Sequence, residues 1–412
     1  MYSIKTNDDK YFYLFGVNIL TLPFTFFSIN SLFSIKYEGA ESGNSYVILI
    51  VISALLFYGT LIRRLLIRKF SKSVLIVFFV AIFIIFNAFF ANIFMQIDTQ
   101  KFINQFLLLV MPAFLFGSEL SRTGSLISVS KMLFTIAIIV SLSVLFLIPK
   151  MLYIPTNELM TFFGGGQYQA FSYSVSFSFL VSLVYYLFYL QNKRLFTRIL
   201  FLILFIIQIS GVALSGGRGG AGVVIIGLFI ILIHKFPLFR ALKIVVLISV
   251  ALLIFSTGLY FYFLEYSDRI FESLGRIFSF INDGGIDFTQ TSNRDLVYGE
   301  TIDLISNAPI LGYGILGYLT KTNGGYPHNF FLEILLQGGI LFLIIWSIIF
   351  FFYIRKYLKL ININKHIYLL PTFIYSFVLL MFSGTYLLEP FFWFNLSYVF
   401  TSRLNSNFST NS

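Results

Sequence analysis

Two short stretches of this sequence carry residue types that could do chemistry within an otherwise apolar chain. Residues 215–220 read SGGRGG and place Arg218 in a run of glycines. The second stretch starts at His328 and continues with Asn329, Glu333 and Gln337, the last three at helical spacing. A guanidinium among the free N–H groups of a flexible turn is suited to binding an anion. A histidine at the mouth of a polar cavity is suited to accepting a proton.

The glycine run also has a structural interpretation. It contains the letters G-x-G-x-x-G, but it follows an apolar helix rather than a strand and lacks the acidic residue about twenty positions later that a dinucleotide site needs. Gly216 and Gly220 form a GxxxG pair that could let membrane helices pack closely. Arg218 favours a functional role, because a guanidinium near membrane depth is costly unless it meets water or a partner.

His328 also has two interpretations. It could be an interfacial histidine above a polar helix-packing seam, or a general base. His234 and His366 fall at predicted cytoplasmic ends of spans, so His328 is the histidine expected on the outer side. The polar stripe that follows it should face the interior of a helix bundle, because lipid penalises polar groups.

The elements that hold these residues are predicted to be membrane helices. Of the 412 residues, 58% are hydrophobic and 11% are charged, whereas soluble domains have roughly 25% charged residues. Cysteine is absent, which excludes disulfides and thiolate metal sites. A span needs roughly 17–25 mainly apolar residues. The candidate runs are 11–29, 46–62, 74–95, 103–117, 132–149, 168–190, 199–214, 219–233, 242–263, 329–354, 367–386 and 388–402.

The positions of the basic residues predict the orientation of these spans. Twenty of the 28 Lys and Arg residues fall in one set of alternating loops and at the termini. Only four remain on the other side once the last long loop is discounted, and cytoplasmic loops carry the basic excess. Both termini should therefore be inside. The net charge of +11 is spread over short loops rather than gathered in a patch, so no nucleic-acid partner is expected.

The predicted fold is an all-α polytopic integral membrane protein with about twelve transmembrane helices and one long extracytoplasmic loop. Residues 1–263 hold spans one to nine, 264–327 the outer loop, 328–403 the last three spans, and 404–412 a short cytoplasmic tail. Residues 199–233 form a hairpin of two short spans that turns at 215–220, below the outer surface. In the loop, a surface helix near 270–278 ends before a break at 282–285, and a second helix runs from Ser292 or Asn293 to about Asn307.

Several of these motifs together resemble the O-antigen ligase/polymerase family. Asn293 and Arg294 open a helix, residues 307–314 (NAPILGYG) form a glycine-rich turn, and His328 and Asn329 open the next span. The SGGRG turn is similar to a small-residue turn with an arginine in the same family. The resemblance covers roughly residues 199–350.

The resemblance implies an inverting, metal-independent glycosyltransferase that needs no cofactor and works at the outer, periplasmic face of the bacterial inner membrane. Its substrates would be an oligosaccharide on undecaprenyl diphosphate and a glycan acceptor. Membrane lipids and a chain-length regulator protein would be further partners. Arg218 and Arg294 would hold the diphosphate, and His328 would activate the acceptor hydroxyl. Asn329, Glu333 and Arg276 would have supporting roles, although taken singly the loop arginines could be structural.

Two reactions and one different class of function remain open. A polymerase joins lipid-linked repeat units, whereas a ligase moves the finished glycan to lipid A core. A single long outer loop favours the ligase, and the phenylalanine-rich, idiosyncratic sequence favours the polymerase, which is the function predicted here, for O-antigen or capsule. A lipid-linked oligosaccharide flippase is the alternative class. Polar groups concentrated at one face, rather than broken helices near the midplane, argue against transport.

Overall fold

The computed structural model describes residues 7–32, 40–67, 72–95, 99–123, 126–153, 167–190, 194–246, 281–282, 285–286, 294–322, 327–361 and 364–402. These residues are helical apart from connections and one short ribbon. The helices are α1 (Asn7–Leu32), α2 (Ala40–Ile67), α3 (Lys72–Met95), α4 (Gln100–Gln105), α5 (Met111–Thr123), α6 (Leu126–Tyr153), α7 (Gln167–Val184), α8 (Leu195–Ser215), α9 (Arg218–Lys235), α10 (238–246), α11 (Arg294–Asn307), α12 (Phe330–Ile361), α13 (Leu370–Phe382) and α14 (Pro390–Thr401). Single π-helical turns join α4 to α5 (Phe106–Val110) and extend α7 (Tyr185–Tyr189).

Seven helical stretches in the described part of the chain are long and apolar enough to cross a membrane. The protein is therefore a multi-pass membrane protein, and the all-helical prediction is confirmed. The total of twelve spans and the division into 1–263, 264–327, 328–403 and 404–412 stay predictions. The seven stretches are Tyr46–Leu66, Gln100–Arg122, Leu126–Pro149, Tyr168–Tyr189, Leu195–Ser215, Arg218–Lys235 and Phe330–Ile361.

The apolar residues divide between a lipid-facing surface and an aromatic core. Helices α2, α3 and α12 expose large side chains such as Leu55, Phe79 and Phe351, as expected where the surrounding solvent is lipid. Phenylalanine is equally common inside. Phe24 of α1 and Phe177 of α7 have ring centroids 5.1 Å apart, and both rings pack on α13 and α14. The phenylalanine content therefore serves the packing of helices as well as contact with lipid.

Helix α7 occupies the centre of the bundle. Every side chain from 171 to 184 is buried, and α7 contacts α1, α6, α8, α9 and α13. Its buried serines are small enough to admit close neighbours, and several bond the helix's own carbonyls four residues back, as Ser174 does with Ala170. A serine-rich helix can therefore stay buried on all sides with its hydroxyl groups satisfied. The buried serines are Ser172, Ser174, Ser176, Ser178 and Ser182.

Basic residues gather at one end of this bundle. The Lys131 ammonium lies 5.4 Å from the ring centroid of Tyr189, and the Lys235 ammonium lies 4.9 Å from that of Phe188. Thus the start of α6 and the end of α9 meet the C-terminal end of the α7 segment. This arrangement agrees with the predicted alternation of loops, while the sidedness itself stays a prediction.

The described parts of the long loop match its predicted helix and break. Helix α11 runs from Arg294 to Asn307, close to the predicted bounds. At the predicted break, Ile281–Asn282 pairs antiparallel with Gly285–Ile286, a two-residue ribbon that the all-α prediction did not include. The predicted surface helix at 270–278 lies outside the described residues. So does the predicted span 242–263 beyond residue 246.

Candidate functional site

The predicted hairpin turn is present between α8 and α9. Helix α8 ends at Ser215, Gly216 adopts a left-handed conformation with φ of +63°, and Gly217 is the N-cap of α9. Glycine takes this conformation without the penalty that a Cβ would bring. Ser215, Gly216 and Gly217 are buried, so the turn lies within the protein.

The turn is buried because α9 approaches α7 closely. The Ser172 hydroxyl donates to the Gly217 carbonyl at 3.2 Å, and the Ser176 hydroxyl donates to the Gly220 carbonyl at 2.8 Å. A Cβ on Gly220 would stand 2.8 Å from the Ser172 carbonyl oxygen, whereas a Cβ on Gly222 would meet its nearest neighbour at 3.8 Å. The glycines of the turn thus have a packing role, and the G-x-G-x-x-G letters do not act as one unit.

Arg218 occupies the first position of α9 and is half-buried. The first turn of a helix presents unbonded N–H groups and the positive end of the helix dipole. A guanidinium at this point adds a full positive charge to the same end. The geometry around Arg218 therefore suits an anion such as a phosphate group.

His328 is held in an unusual backbone conformation at the start of α12. Its φ is +51°, in the left-handed region that non-glycine residues rarely adopt. Its Nδ1 lies 3.3 Å from the Ser383 carbonyl oxygen. A carbonyl can only accept, so Nδ1 carries the hydrogen and, in the neutral ring, Nε2 carries the lone pair. This is the tautomer that a general base needs.

Ser383 connects the histidine to the arginine turn. Its hydroxyl shares a hydrogen bond of 2.8 Å with the hydroxyl of Tyr173, on α7. Tyr173 in turn lies directly against Gly219, where an added Cβ would stand 3.0 Å from Cε1 and closer still to the hydroxyl. The structure thus brings the segments of Arg218 and His328 to the same end of the bundle, with Tyr173 and Ser383 between them.

A buried polar cluster lies beneath this end of the bundle. Glu333 is 1% exposed, and its Oε1 accepts from the hydroxyls of Tyr318 and Thr385 and from the amide of Gln337. Burial raises the pKa of Tyr318, which keeps this hydroxyl protonated as a donor. The Gln337 oxygen accepts from the hydroxyl of Tyr386. The predicted inward orientation of Glu333 and Gln337 is confirmed, and the hydrogen bonds described for Glu333 go to these groups rather than to His328.

Asn329 caps α12. Its side-chain oxygen accepts from the backbone N–H groups of Phe331 at 3.0 Å and Leu332 at 3.2 Å. This bonding satisfies two donors that the first turn of a helix otherwise leaves open. The structure thus gives Asn329 a local role, and a contact with substrate stays a prediction.

Helix α12 is broken near its start, whereas the sequence predicted one continuous span at 329–354. Gly338 and Gly339 have non-helical backbone angles, with φ of +60° at Gly339. The glycine-rich turn that follows α11 fills the break. The backbone N–H of Tyr313 donates to the Leu336 carbonyl (2.8 Å), and that of Gly314 donates to the Gln337 carbonyl (2.7 Å). In the other direction, the N–H of Ile340 donates to the Pro309 carbonyl (2.8 Å). The turn after α11 and the broken part of α12 are therefore hydrogen-bonded to each other, which anchors α11 on α12.

Two arginines complete the set of predicted site residues. Arg294 begins α11, as predicted. Its side chain, and the whole of Arg276, lie outside the described residues. The residues that the structure describes include no group of three His, Asp or Glu side chains placed to hold a metal ion.

Three residues of this region were not found from the sequence: Tyr173, Ser383 and Thr385. The predicted span 367–386 ran through two of them, but α13 ends at Phe382, and Ser383 and Gly384 leave the helix. Gly384 was the available signal for that end. Tyr173 had no distinct signal, because Tyr168 and five serines of α7 also carry hydroxyl groups.

Comparison with known proteins agrees with the motifs. Residues 203–347 match the family model described as O-antigen ligase. The match covers 145 of the 412 residues, so this part of the chain is similar to the O-antigen ligase family. The matched segment contains Arg218, Arg294 and His328, together with Asn329 and Glu333, but neither Tyr173 nor Ser383. Searches of curated proteins and of solved structures gave no match.

Proposed function

We propose that this protein is a member of the O-antigen ligase/polymerase family and acts as a polysaccharide polymerase. It transfers a glycan from undecaprenyl diphosphate to a hydroxyl of another lipid-linked repeat unit, at the outer face of the inner membrane. The observation that carries the proposal is the meeting of the Arg218 turn and His328 around Tyr173 and Ser383. Both functional residues lie in the segment that matches the family model.

The arginines supply the charge that the leaving group needs. As the glycosidic bond breaks, negative charge develops on the diphosphate, and fixed cations and N–H donors stabilise it most where water is excluded. Arg218 combines its guanidinium with the N-terminus of α9. Arg294, at the start of α11, is proposed as the second cation. The planar fork of arginine matches two phosphate oxygens at once.

His328 acts as the general base. Its Nε2 takes the proton of the acceptor hydroxyl while that oxygen attacks the anomeric carbon from the face opposite the diphosphate. The bond from the anomeric carbon to the diphosphate oxygen breaks, its electron pair leaves with the diphosphate, and the configuration inverts. The Ser383 carbonyl, which accepts from Nδ1, stabilises the imidazolium that forms. In this mechanism arginines carry out the charge neutralisation that a metal ion performs in other transferases.

A ligase is the second candidate, and two observations favour it. The matching family model is described by that activity, and the sequence has one long outer loop. The ligase reaction uses the same diphosphate leaving group and the same base. It differs in the acceptor, which is lipid A core rather than a second lipid-linked repeat unit.

The break in α12 does not favour a transporter. Transporters use discontinuous helices near the membrane midplane. In this protein 22 residues follow the break, from Ile340 to Ile361, and at 1.5 Å per residue they extend about 33 Å. That length is enough for a complete span. The 22 residues after the break can therefore cross the membrane by themselves. The break lies at the end of this span that is nearest to His328 and Glu333, not near its middle.

The function is tested with purified protein in detergent, where no gradient and no second compartment exist. Given only the undecaprenyl-diphosphate-linked repeat unit, the protein should make longer lipid-linked glycans, and excess chelator should leave the rate unchanged. Product that forms only after lipid A core is added would replace the polymerase by the ligase. No glycan transfer to either acceptor, with movement of the lipid-linked unit across vesicles, would overturn both.

A chain-length regulator protein is a proposed partner of the polymerase. The purified polymerase alone should give a broad range of glycan lengths, because nothing in the transfer step measures the chain.

A further inference from the structure

The two halves of the proposed site come from elements that are distant in sequence. Arg218 starts α9, while His328 precedes α12, and each depends on a different neighbour for its position. Transfer requires the diphosphate and the acceptor hydroxyl to be held at a fixed separation, and a misplacement of about 1 Å can cost on the order of a hundredfold in rate. Some contact must therefore set the distance between the two halves.

The turn that holds His328 is fixed on one side by the buried polar cluster. Thr385 donates to Glu333, and Tyr386 donates to Gln337. Ser383 lies two residues before Thr385 and offers its carbonyl to His328. The turn is thus attached to the first part of α12, the same element that follows the histidine.

On its other side this turn has a polar contact with α7. The hydroxyl of Tyr173 bonds the hydroxyl of Ser383 across a separation of 210 residues in sequence. Tyr173 is 4% exposed, and its ring stands edge-on to Tyr375, with centroids 6.1 Å apart. The tip of the same side chain touches Gly219, next to Arg218.

We propose that Tyr173 is a positioning residue for glycosyl transfer. Its ring supports the arginine turn at Gly219, and its hydroxyl holds the Ser383 turn that fixes the tautomer and orientation of His328. One side chain therefore sets the spacing between the diphosphate and the base. The inference rests on the proposed function, and it adds two residues, Tyr173 and Ser383, that lie outside the segment matched to the family.

Tyr173→Phe isolates the hydroxyl, because phenylalanine keeps the ring against Gly219 and Tyr375. A neutral hydrogen bond contributes enough that its loss should lower kcat about three- to tenfold. The KM for the undecaprenyl-diphosphate-linked repeat unit should change by less than about twofold, since the arginines still bind the diphosphate. Ser383→Ala deletes the other hydroxyl while keeping the carbonyl that bonds His328, and it should have the same effect. The double variant should be no slower than either single variant, because all three lose the same bond.

Tyr58→Phe is the matched control. It also removes a hydroxyl that bridges two helices, since Tyr58 donates to the Leu107 carbonyl at 2.7 Å. Its kcat per folded molecule should equal that of the wild type. Rates are divided by the amount of folded protein, determined by gel filtration and thermal unfolding in detergent, so that a loss of stability cannot imitate a loss of positioning.

The possible results separate the inference from the function on which it rests. Unchanged kcat in both Tyr173→Phe and Ser383→Ala, beside an inactive His328→Gln, would overturn the positioning role alone. Losses that multiply in the double variant would also overturn it, because two independent effects would then be at work. An active His328→Gln would remove the base and with it the proposed mechanism, whatever Tyr173 does.

Discussion

At His328 the backbone and the side chain are constrained together. The left-handed backbone costs roughly 1–3 kcal/mol for a residue with a Cβ. It persists here between a buried proline, Pro327, and the cap residue Asn329. The conformation places Nδ1 at the Ser383 carbonyl and leaves Nε2 as the basic nitrogen. Glycine would relieve the strain but could not accept a proton, so the conformation is consistent with selection for the side chain.

Replacing either proposed diphosphate-binding arginine by lysine should lower the rate of transfer sharply. Arg218→Lys and Arg294→Lys keep the positive charge but lose the bidentate fork. Since hydrogen bonds to charged groups contribute about 1.5–3 kcal/mol, each variant should lose roughly 10- to 100-fold in kcat/KM, measured with the purified protein and the lipid-linked repeat unit.

Arg269→Lys is the control from the same outer loop and should stay within about threefold of the wild type. Equal tolerance at all three positions would mean that these arginines are structural and that another group neutralises the diphosphate.

Single residues differ in how far the sequence could predict them. The inward orientation of Glu333 and Gln337 follows from their spacing on an apolar helix, because lipid excludes polar side chains. The cap role of Asn329 could also have been recognised, from its place directly before a helix. The bond between Tyr173 and Ser383 could not, since it depends on the packing of α7 beside α13 and no periodic pattern encodes that contact.

At the scale of elements, the fit of α9 against α7 decides where Arg218 lies. The two helices approach through glycines on α9 and serines on α7, with both serine hydroxyls bonded to carbonyls of the turn. An added Cβ would therefore clash at Gly220, whereas at Gly222 it would make only an ordinary van der Waals contact with Val378.

Gly220→Ala should destabilise the protein by about 1–3 kcal/mol, as overpacking typically does. The matched variant Gly222→Ala should be neutral or slightly stabilising, because alanine is the better helix former and fits. Thermal unfolding of both variants in detergent gives the comparison. A Gly220→Ala protein as stable as Gly222→Ala would contradict the close packing of α9 on α7.

The sequence predicted some elements better than others for physical reasons. The hairpin at 215–220 followed from length, since residues 199–233 would be too long for one span and carry basic clusters at both ends. The break at Gly338 and Gly339 was missed because the apolar pattern continues through it. A helix in an apolar setting breaks only where other groups satisfy its backbone, and these groups come from residues 309–314, in another element.

For the whole molecule, the alternation of basic loops predicts on which side of the membrane the proposed site lies. The basic ends of α6 and α9 meet at the C-terminal end of the α7 segment, and the Arg218 turn lies near the N-terminal end of α7. From this arrangement the positive-inside rule predicts that the proposed site lies on the outer side.

Because the chain has no cysteine, single introduced cysteines report sidedness without background. Ser306→Cys, at an exposed position of α11, should react with a membrane-impermeant maleimide on intact spheroplasts. Asn192→Cys should react only after the membrane is opened. Labelling of Asn192→Cys in closed spheroplasts would place the proposed site on the cytoplasmic side and contradict the use of an outward-facing lipid-linked donor.

The glycan made by His328→Gln tests whether His328 is the base for transfer. Glutamine keeps a hydrogen-bonding group of similar reach but cannot accept a proton at neutral pH, so the rate should fall about 10²- to 10⁴-fold. His328→Asn serves as a second variant, because asparagine tolerates the left-handed backbone. At normal membrane levels of either protein, cells should accumulate lipid-linked single repeat units and display short glycans. Long glycans in both strains would show that His328 is not the base, and the base would then have to be another group.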